Sequence, residues 1–417
     1  MLYYIFDLLE QNYGLPGAGL FQFISFRAGL AIILSLGFVL ILGAPIIRKL
    51  QGKLIGETVR DLGLAGENLK QGTPTMGGLI IIGGILIPAL LVTRLDNIYI
   101  IMLIATTVWM GMIGFADDYI KVFKKDKGGL KGKFKIIGQV ILGIFIALVM
   151  LFHQDVQVRV PIMDAKENNY NILKESIIDV PSVTGKPTIK RVAYVNDLLT
   201  NVPFMKDNKF NYEKLVGGSR QGSMILFAIL IILIIVSVSN GSNLTDGLDG
   251  LLAGCAAIIG ATLGLFAYVS GNAITADYLD ILFLPNTGEV VVFAACFLGA
   301  CIGFLWFNAF PAKVFMGDVG SLTIGSIIAV LAIVLRKELL IPVLCGIFFV
   351  EALSVILQVS YFKYTKRKFG EGKRIFLMSP IHHHYQKKGM HEVTIVTRFW
   401  IVCIFLAIIA VITLKIR

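Results

Sequence analysis

Five aspartates stand beside apolar runs in a chain with few charges: Asp117 and Asp118 in GFADDYIK, Asp246 and Asp249 in NGSNLTDGLDG, and Asp318 in VFMGDVGS. Neighbours on a helix are about 100° apart, so Asp117 and Asp118 are expected to point to different sides and serve separate roles. Asp246 and Asp249, three apart, are expected to share a helical face, as are Asn240 and Asn243 one turn earlier. Asp318 reads as a loop residue just before the next apolar run. Lys70, Lys121 and Lys133 flank these loops, and a lysine ammonium is a point-charge partner for phosphate. Mg²⁺ suits such a surface, since it takes oxygen ligands from one or two carboxylates and from substrate phosphates. Zinc fits less well. No cysteine lies in these loops, and three consecutive histidines on a helix cannot all reach one ion. His382, His383 and His384 are read instead as loop residues that contact phosphate or a developing negative charge. The chemistry this set could do is phosphoryl transfer, which needs positioning and charge neutralisation more than covalent catalysis. GTPTMGG is similar to a phosphate-cradling loop, but no G-x-x-x-x-G-K-[ST] occurs, so ATP-driven work has no support.

Those residues must be positioned by membrane-spanning elements. The chain has 417 residues, 56% of them hydrophobic and only 16% charged, a composition of multi-pass membrane proteins. Apolar runs near 22–47, 76–93, 97–115, 134–152, 222–239, 250–270, 288–307, 319–335, 338–362 and 396–415 are each close to the length a span requires. Helices are expected throughout, because lipid offers backbone groups no partner. The fold class is therefore all-α, about ten spans, with 319–335 the shortest. Loops after odd-numbered spans hold most of the basic residues, including seven lysines from Lys121 to Lys135 and Lys313. The positive-inside rule places those loops in the cytoplasm and both termini outside. The net charge of +11 is accounted for in this way, without nucleic acid. All five polar loops follow odd-numbered spans, so the candidate site lies at the cytoplasmic face. Singly, each carboxylate reads as readily as a cap or an interfacial charge; the set on one face does not.

Residues 153–221 differ in composition, with ten basic and eight acidic residues. VQVRVPI and TIKRVAYV alternate as short strands do. The chain thus divides into 1–152 (spans 1 to 4), an extracytoplasmic insertion 153–221, and 222–417 (spans 5 to 10). Glu351 in FFVEALSVILQ is the clearest intramembrane charge, read first as a structural hydrogen bond to a neighbouring helix. The cysteines read as buried packing residues. QVSYFKYTKRKF, at the exit of span 9, is basic and amphipathic and is suited to steering a lipid.

GTPTMGG, FADDYIK, NLTDGLDG, FPAKVFMGDVGS and PIHHHYQKKG, in this order, resemble the phospho-N-acetylmuramoyl-pentapeptide transferases, integral membrane enzymes of peptidoglycan synthesis. The aspartate loops are shared with the wider polyprenyl-phosphate N-acetylhexosamine-1-phosphate transferases; the histidine run and GTPTMGG point to the muramoyl-pentapeptide branch. The resemblance implies a Mg²⁺-dependent reaction in which UDP-N-acetylmuramoyl-pentapeptide and undecaprenyl phosphate give lipid I and UMP at the bacterial inner membrane, by a homodimer. It implies that Asp318 is the metal ligand, that Asp117 acts on the lipid phosphate, and that Asp118 supports it. Lys70, Asn240, Asn243, Asp246, Asp249, Asn308 and Phe315 would line the nucleotide pocket, with Phe315 stacking on uracil and His382 to His384 on the donor side. A direct displacement and an aspartyl intermediate are both compatible with these motifs. The segment 153–221 is longer than the family's usual outer hairpin, which suggests an accessory module for an outer partner. Two rivals stand beside this reading: a sister transferase using UDP-N-acetylglucosamine, and a secondary transporter. The histidine run argues against the first. The second would place its charges near the midplane on repeated, broken helices.

Overall fold

The computed structural model describes residues 1–53, 72–126, 128–180, 188–202 and 209–415. In chain order the elements are α1 (Leu2–Tyr13), α2 (Ile24–Lys53), α3 (Gly78–Val92), α4 (Ile98–Phe123) and α5 (Gly132–Phe152). Then come β1 (Val158–Pro161), α6 (Ile162–Glu167), β2 (Ile172–Val180), β3 (Thr188–Val195), β4 (Leu199–Asn201) and β5 (Lys209–Asn211). The second half holds α7 (Arg220–Thr245), α8 (Leu251–Gly271), α9 (Ala273–Leu279), α10 (Gly288–Asn308) and α11 (Gly317–Val334). It closes with α12 (Ile341–Leu344), α13 (Gly346–Phe369), α14 (Ile381–Lys387) and α15 (Glu392–Ile412). Among the described residues, nine helices are long and apolar enough to cross a membrane. The chain is an all-α, multi-pass membrane protein. A tenth apolar helix, α3, has 15 residues and a length of about 22 Å, short of a bilayer core of about 30 Å.

The shortest expected span becomes the axis of the bundle. Every residue of α11 from Val319 to Val334 is buried, and α3, α4, α7 and α8 pack around it. Its sequence permits this, because small residues let neighbouring backbones approach where lipid gives no hydrophobic drive between helices. Ser239 and Ser242 of α7 donate to the carbonyls of Leu322 and Ser321 at 3.1 and 2.8 Å. At its first turn, a Cβ on Gly78 of α3 would lie 2.1 Å from the nitrogen of Gly320, and one on Gly114 of α4 would lie 2.4 Å from the carbonyl oxygen of Asp318. A methyl cannot enter either contact without moving backbone. Gly114→Val is therefore expected to cost about 3 kcal/mol or more by overpacking, read as a lower thermal midpoint in detergent. An unchanged midpoint would refute the close three-helix contact.

Three elements depart from the hydropathy pattern. α1 precedes the first span, has no buried residue, and lies beside the far end of α3, with the Tyr4 hydroxyl 2.5 Å from Asp96 Oδ1. The run 338–362 is not one helix. A 3₁₀ turn over Glu338–Leu340 and the short α12 end at Cys345, and α13 starts anew at Gly346. The carbonyl of Phe348 then faces Gly241 in the last turns of α7. Glu351 is thereby brought level with the turn that follows α7, rather than into the middle of the bundle.

The third is the segment after α5. The strands β1, β3 and β2 form an antiparallel sheet in the order β1-β3-β2, and β4 pairs with β5, which places strands at both sequence stretches expected to form them. Val158, Val160, Ala193 and Val195 share a small core with Leu282 and Leu284, and Arg159 reaches Asp277 at 2.9 Å. Tyr212 donates to Glu338 at 2.8 Å, and Lys337 Nζ donates to Asn201 Oδ1 at 2.5 Å. The segment is thus fastened to the bundle. It also buries Arg336 and Lys337, and burial pushes the Lys337 ammonium down to about 7. A lysine removed from water in this way does not weigh in the loop-charge count as a solvated one does.

Candidate active site

The site is organised by the start of α11. Gly317 has φ +71°, and a Cβ there would lie 2.4 Å from Asp118 Oδ2, so both conformation and space call for glycine. Asp118, buried on α4, accepts the backbone N–H groups of Asp318 and Val319 at 3.2 and 3.0 Å. It caps α11 from a neighbouring helix and satisfies donors that a helix start leaves unpaired. Asp318 sits in this first turn, not in the preceding loop. Asn243 donates to Asp318 Oδ1 at 3.0 Å and to Ser321 at 2.8 Å.

Asp117 is also buried, on the same broad stripe of α4 as Asp118. The two neighbouring carboxylates take different partners. Asp117 Oδ1 accepts from the Leu130 N–H at 2.7 Å and from Lys135 at 2.9 Å, and Oδ2 pairs with Lys121. Both lysines also reach Asp318 Oδ2, Lys121 at 3.3 Å. One oxygen from each of Asp117, Asp118 and Asp318 lies within 4.8 Å of the others. Two like charges at that separation repel by about 3 to 4 kcal/mol at an effective dielectric of 20. Asp246 caps the end of α7 nearby; burial first, then Asp318, Asp118 and Asp249, push its carboxyl up to about 8. Carboxylates this crowded favour a compact cation, and an all-oxygen set fits a hard divalent one.

Two loops close over this cluster. The Phe315 N–H donates to the Pro74 carbonyl, Gly77 N–H to the Phe315 carbonyl, and Gly78 N–H to the Met316 carbonyl, each at 2.8 Å. TPTMGG is thus zipped against the entry to α11, leaving Phe315 half-buried. Asn308 accepts from Gly250 N–H at 3.0 Å and donates to the Val314 carbonyl at 2.9 Å. Asp249 accepts from Ala312 N–H at 3.0 Å. Asn308 and Asp249, expected to line a pocket, are buried and hold these loops together. Asp246 and Asp249 do not share a helical face, because α7 ends at Thr245 and they lie in the turn before α8.

Of the other expected residues, Asn240 donates to Gln139 of α5 at 2.9 Å, a contact behind the cluster. His382, His383 and His384 lie on α14, not in a loop, and take three different partners. His382 is buried 3.1 Å from Glu351, and His383 meets Gln386 at 2.7 Å. His384 Nδ1 accepts the Leu377 N–H at 3.1 Å, and burial with nearby Lys388 lowers its pKa. Lys70 lies outside the described residues. Lys133 is exposed on the first turn of α5, and Lys135 takes the place expected of it. The signal was present in the sequence. Lys135, Gln139, Leu142 and Ile146 follow helical spacing and form one stripe, whose last three members are buried; Lys133 falls on the stripe of exposed Ile137 and Ile144.

The chain matches known proteins along its whole length. Residues 100–336 match the model of glycosyl transferase family 4, and residues 70–82 match signature 1 of the phospho-N-acetylmuramoyl-pentapeptide-transferases. A Flavobacterium psychrophilum protein of that name is 57% identical over 421 residues, covering all of both chains. Its namesakes from Flavobacterium johnsoniae and Parabacteroides distasonis are 54% and 51% identical, again over the full length of both chains.

Proposed function

Since the chain belongs to the phospho-N-acetylmuramoyl-pentapeptide transferase family, we propose that the aspartate–lysine cluster at the start of α11 is where its two substrates meet. The chain is a transferase of peptidoglycan synthesis. It moves phospho-N-acetylmuramoyl-pentapeptide from UDP-N-acetylmuramoyl-pentapeptide to undecaprenyl phosphate, giving lipid I and UMP. The observation that carries the site assignment is the meeting of Asp117, Asp118 and Asp318 with Lys121 and Lys135 at the ends of three membrane helices. There a lipid phosphate can arrive while its tail stays in the bilayer, and charge at an interface costs far less than at the midplane.

An oxygen of the acceptor phosphate attacks the donor phosphorus that bears the sugar; a new P–O bond forms, the pyrophosphate bond breaks, and UMP leaves. A lipid phosphate is mostly dianionic near neutral pH, its second pKa being about 6, so a strong base is optional. Lys121 and Lys135 supply positive charge for the acceptor. Asp117 holds both ammoniums and so positions the acceptor phosphate between them. Its two oxygens are committed to the lysines and to Leu130 N–H, which suits a positioning group better than a nucleophile and favours direct displacement. Asp118 fixes the first turn of α11 and thereby Asp318. Mg²⁺ would be held by Asp318 with Asp117 or Asp118, and would neutralise the pyrophosphate as charge develops. On the donor side, Asn243, Asp246 and Phe315 face the nucleotide, to which the family resemblance also assigns Lys70, and α14 faces the sugar-peptide. Asp249, Asn308 and Asn240 shape the pocket from behind. The site face is cytoplasmic, the termini lie outside, and the protein works as a dimer in the bacterial inner membrane, with 153–221 as an outer module.

The test is UMP release by the purified chain in detergent, with undecaprenyl phosphate and either UDP-N-acetylmuramoyl-pentapeptide or UDP-N-acetylglucosamine. Release is expected only with the first donor, only with both substrates, and not in EDTA. Turnover confined to UDP-N-acetylglucosamine would move the chain to the sister branch.

A further inference from the structure

Glu351 on α13 and His382 on α14 are both wholly buried, with Oε2 and Nδ1 3.1 Å apart. Among the described residues, neither oxygen of Glu351 and neither ring nitrogen of His382 makes a hydrogen bond, so the two groups meet as a close buried contact. Ionisable groups held out of water in this way oppose folding unless well paired, and an apolar pair of similar volume would pack the same space. What the pair adds is direction. The buried ring is packed with its Nδ1 edge against the carboxylate and its other edge over Gly247. A Cβ on Gly247 would lie 2.2 Å from His382 Nε2.

Gly247 lies between Asp246 and Asp249, in the turn whose neighbours grip the loop before α11. Asp249 accepts from Ala312, and Gly250 donates to Asn308. The imidazole therefore joins three elements: α13 through Glu351, α14 that carries it, and the turn between α7 and α8. The same short helix presents His383 and His384.

We propose that Glu351 is a positioning residue for the donor substrate: it orients His382, which seats α14 on the Asp246–Gly250 turn and so fixes both walls of the donor pocket. This rests on the donor-side reading of Asp246 and α14. Glu351 touches neither Asp117, Lys121 nor Lys135, so the acceptor side is left alone.

The experiment compares steady-state kinetics of the full chain in detergent for wild type, Glu351→Gln, His382→Asn, the double variant, and Gly247→Ala. Each single substitution is expected to raise the donor KM about tenfold while the undecaprenyl phosphate KM stays within about twofold. The double variant should be no worse than the worse single one, because the two side chains act as a unit. Gly247→Ala is the sharper probe, since its methyl displaces the imidazole while leaving Glu351 intact, and it decides the matter if Glu351→Gln fails to fold. Parallel changes in both KM values, multiplying effects in the double variant, or a silent Gly247→Ala would each overturn the proposal. A wild type that releases no UMP would overturn the transferase reading instead.

Discussion

Asp318→Asn is expected to lower UMP release by about a thousandfold or more, the scale of losing a principal charge-stabilising group, while the protein keeps its fold. The shape of the side chain is unchanged, and an amide oxygen can still accept from Asn243, which donates 3.0 Å from Asp318 Oδ1. The cap on α11 belongs to Asp118 and acts on backbone N–H groups, so it survives the substitution. What is lost is one charge from three carboxylates within 4.8 Å, the one that both lysines share with Asp117. The substitution relieves repulsion among the carboxylates but leaves Lys121 and Lys135 without the partner they share, so the thermal midpoint should fall slightly while activity collapses. A second readout separates metal from structure. Mg²⁺ that binds the native state should raise the wild-type midpoint by mass action, and that rise should vanish in Asp318→Asn. Activity within tenfold of wild type, or an undiminished Mg²⁺ shift, would remove Asp318 from the metal site.

Asp318 was legible in the sequence because charges beside apolar runs are few, and because a glycine–aspartate pair opens the run that becomes α11. The ten apolar runs were legible for the same reason: lipid permits little but helices. Local geometry was less so. A hydropathy window averages across Cys345 and cannot see that α12 ends and α13 begins there, so 338–362 read as one span. Three histidines after Ser379-Pro380 carry no periodic pattern, so the seven-residue α14 was read as a loop. Residue types also do not say which way a turn faces. Asp249 and Asn308 were expected to line the pocket, and they turn inward to Ala312, Val314 and Gly250. The largest loss came from choosing Lys133 rather than Lys135 among the lysines of 124–135. Their chemistry is identical; only their phase on α5 differs.

That phase yields the second large prediction. Lys135→Met is expected to reduce kcat/KM for undecaprenyl phosphate by about a hundredfold or more, and Lys133→Met by less than about twofold. The Lys135 side chain is 18% exposed and pairs with both Asp117 and Asp318, so its charge acts across a short, poorly screened distance. Lys133 is exposed one stripe away on the same helical turn, where salt and water attenuate its field. Methionine keeps the stem of the side chain and removes only the ammonium, so packing along Gln139 and Leu142 is preserved. Stability should fall here too: removing a cation from between two carboxylates leaves them facing each other, and the thermal midpoint should drop by more than in Asp318→Asn. The two neighbouring lysines thus make a matched control for each other. Equal losses at both positions would mean that the acceptor phosphate answers to the general field of the basic loop, and the specific bridge from α5 to Asp117 and Asp318 would then have no part in binding it.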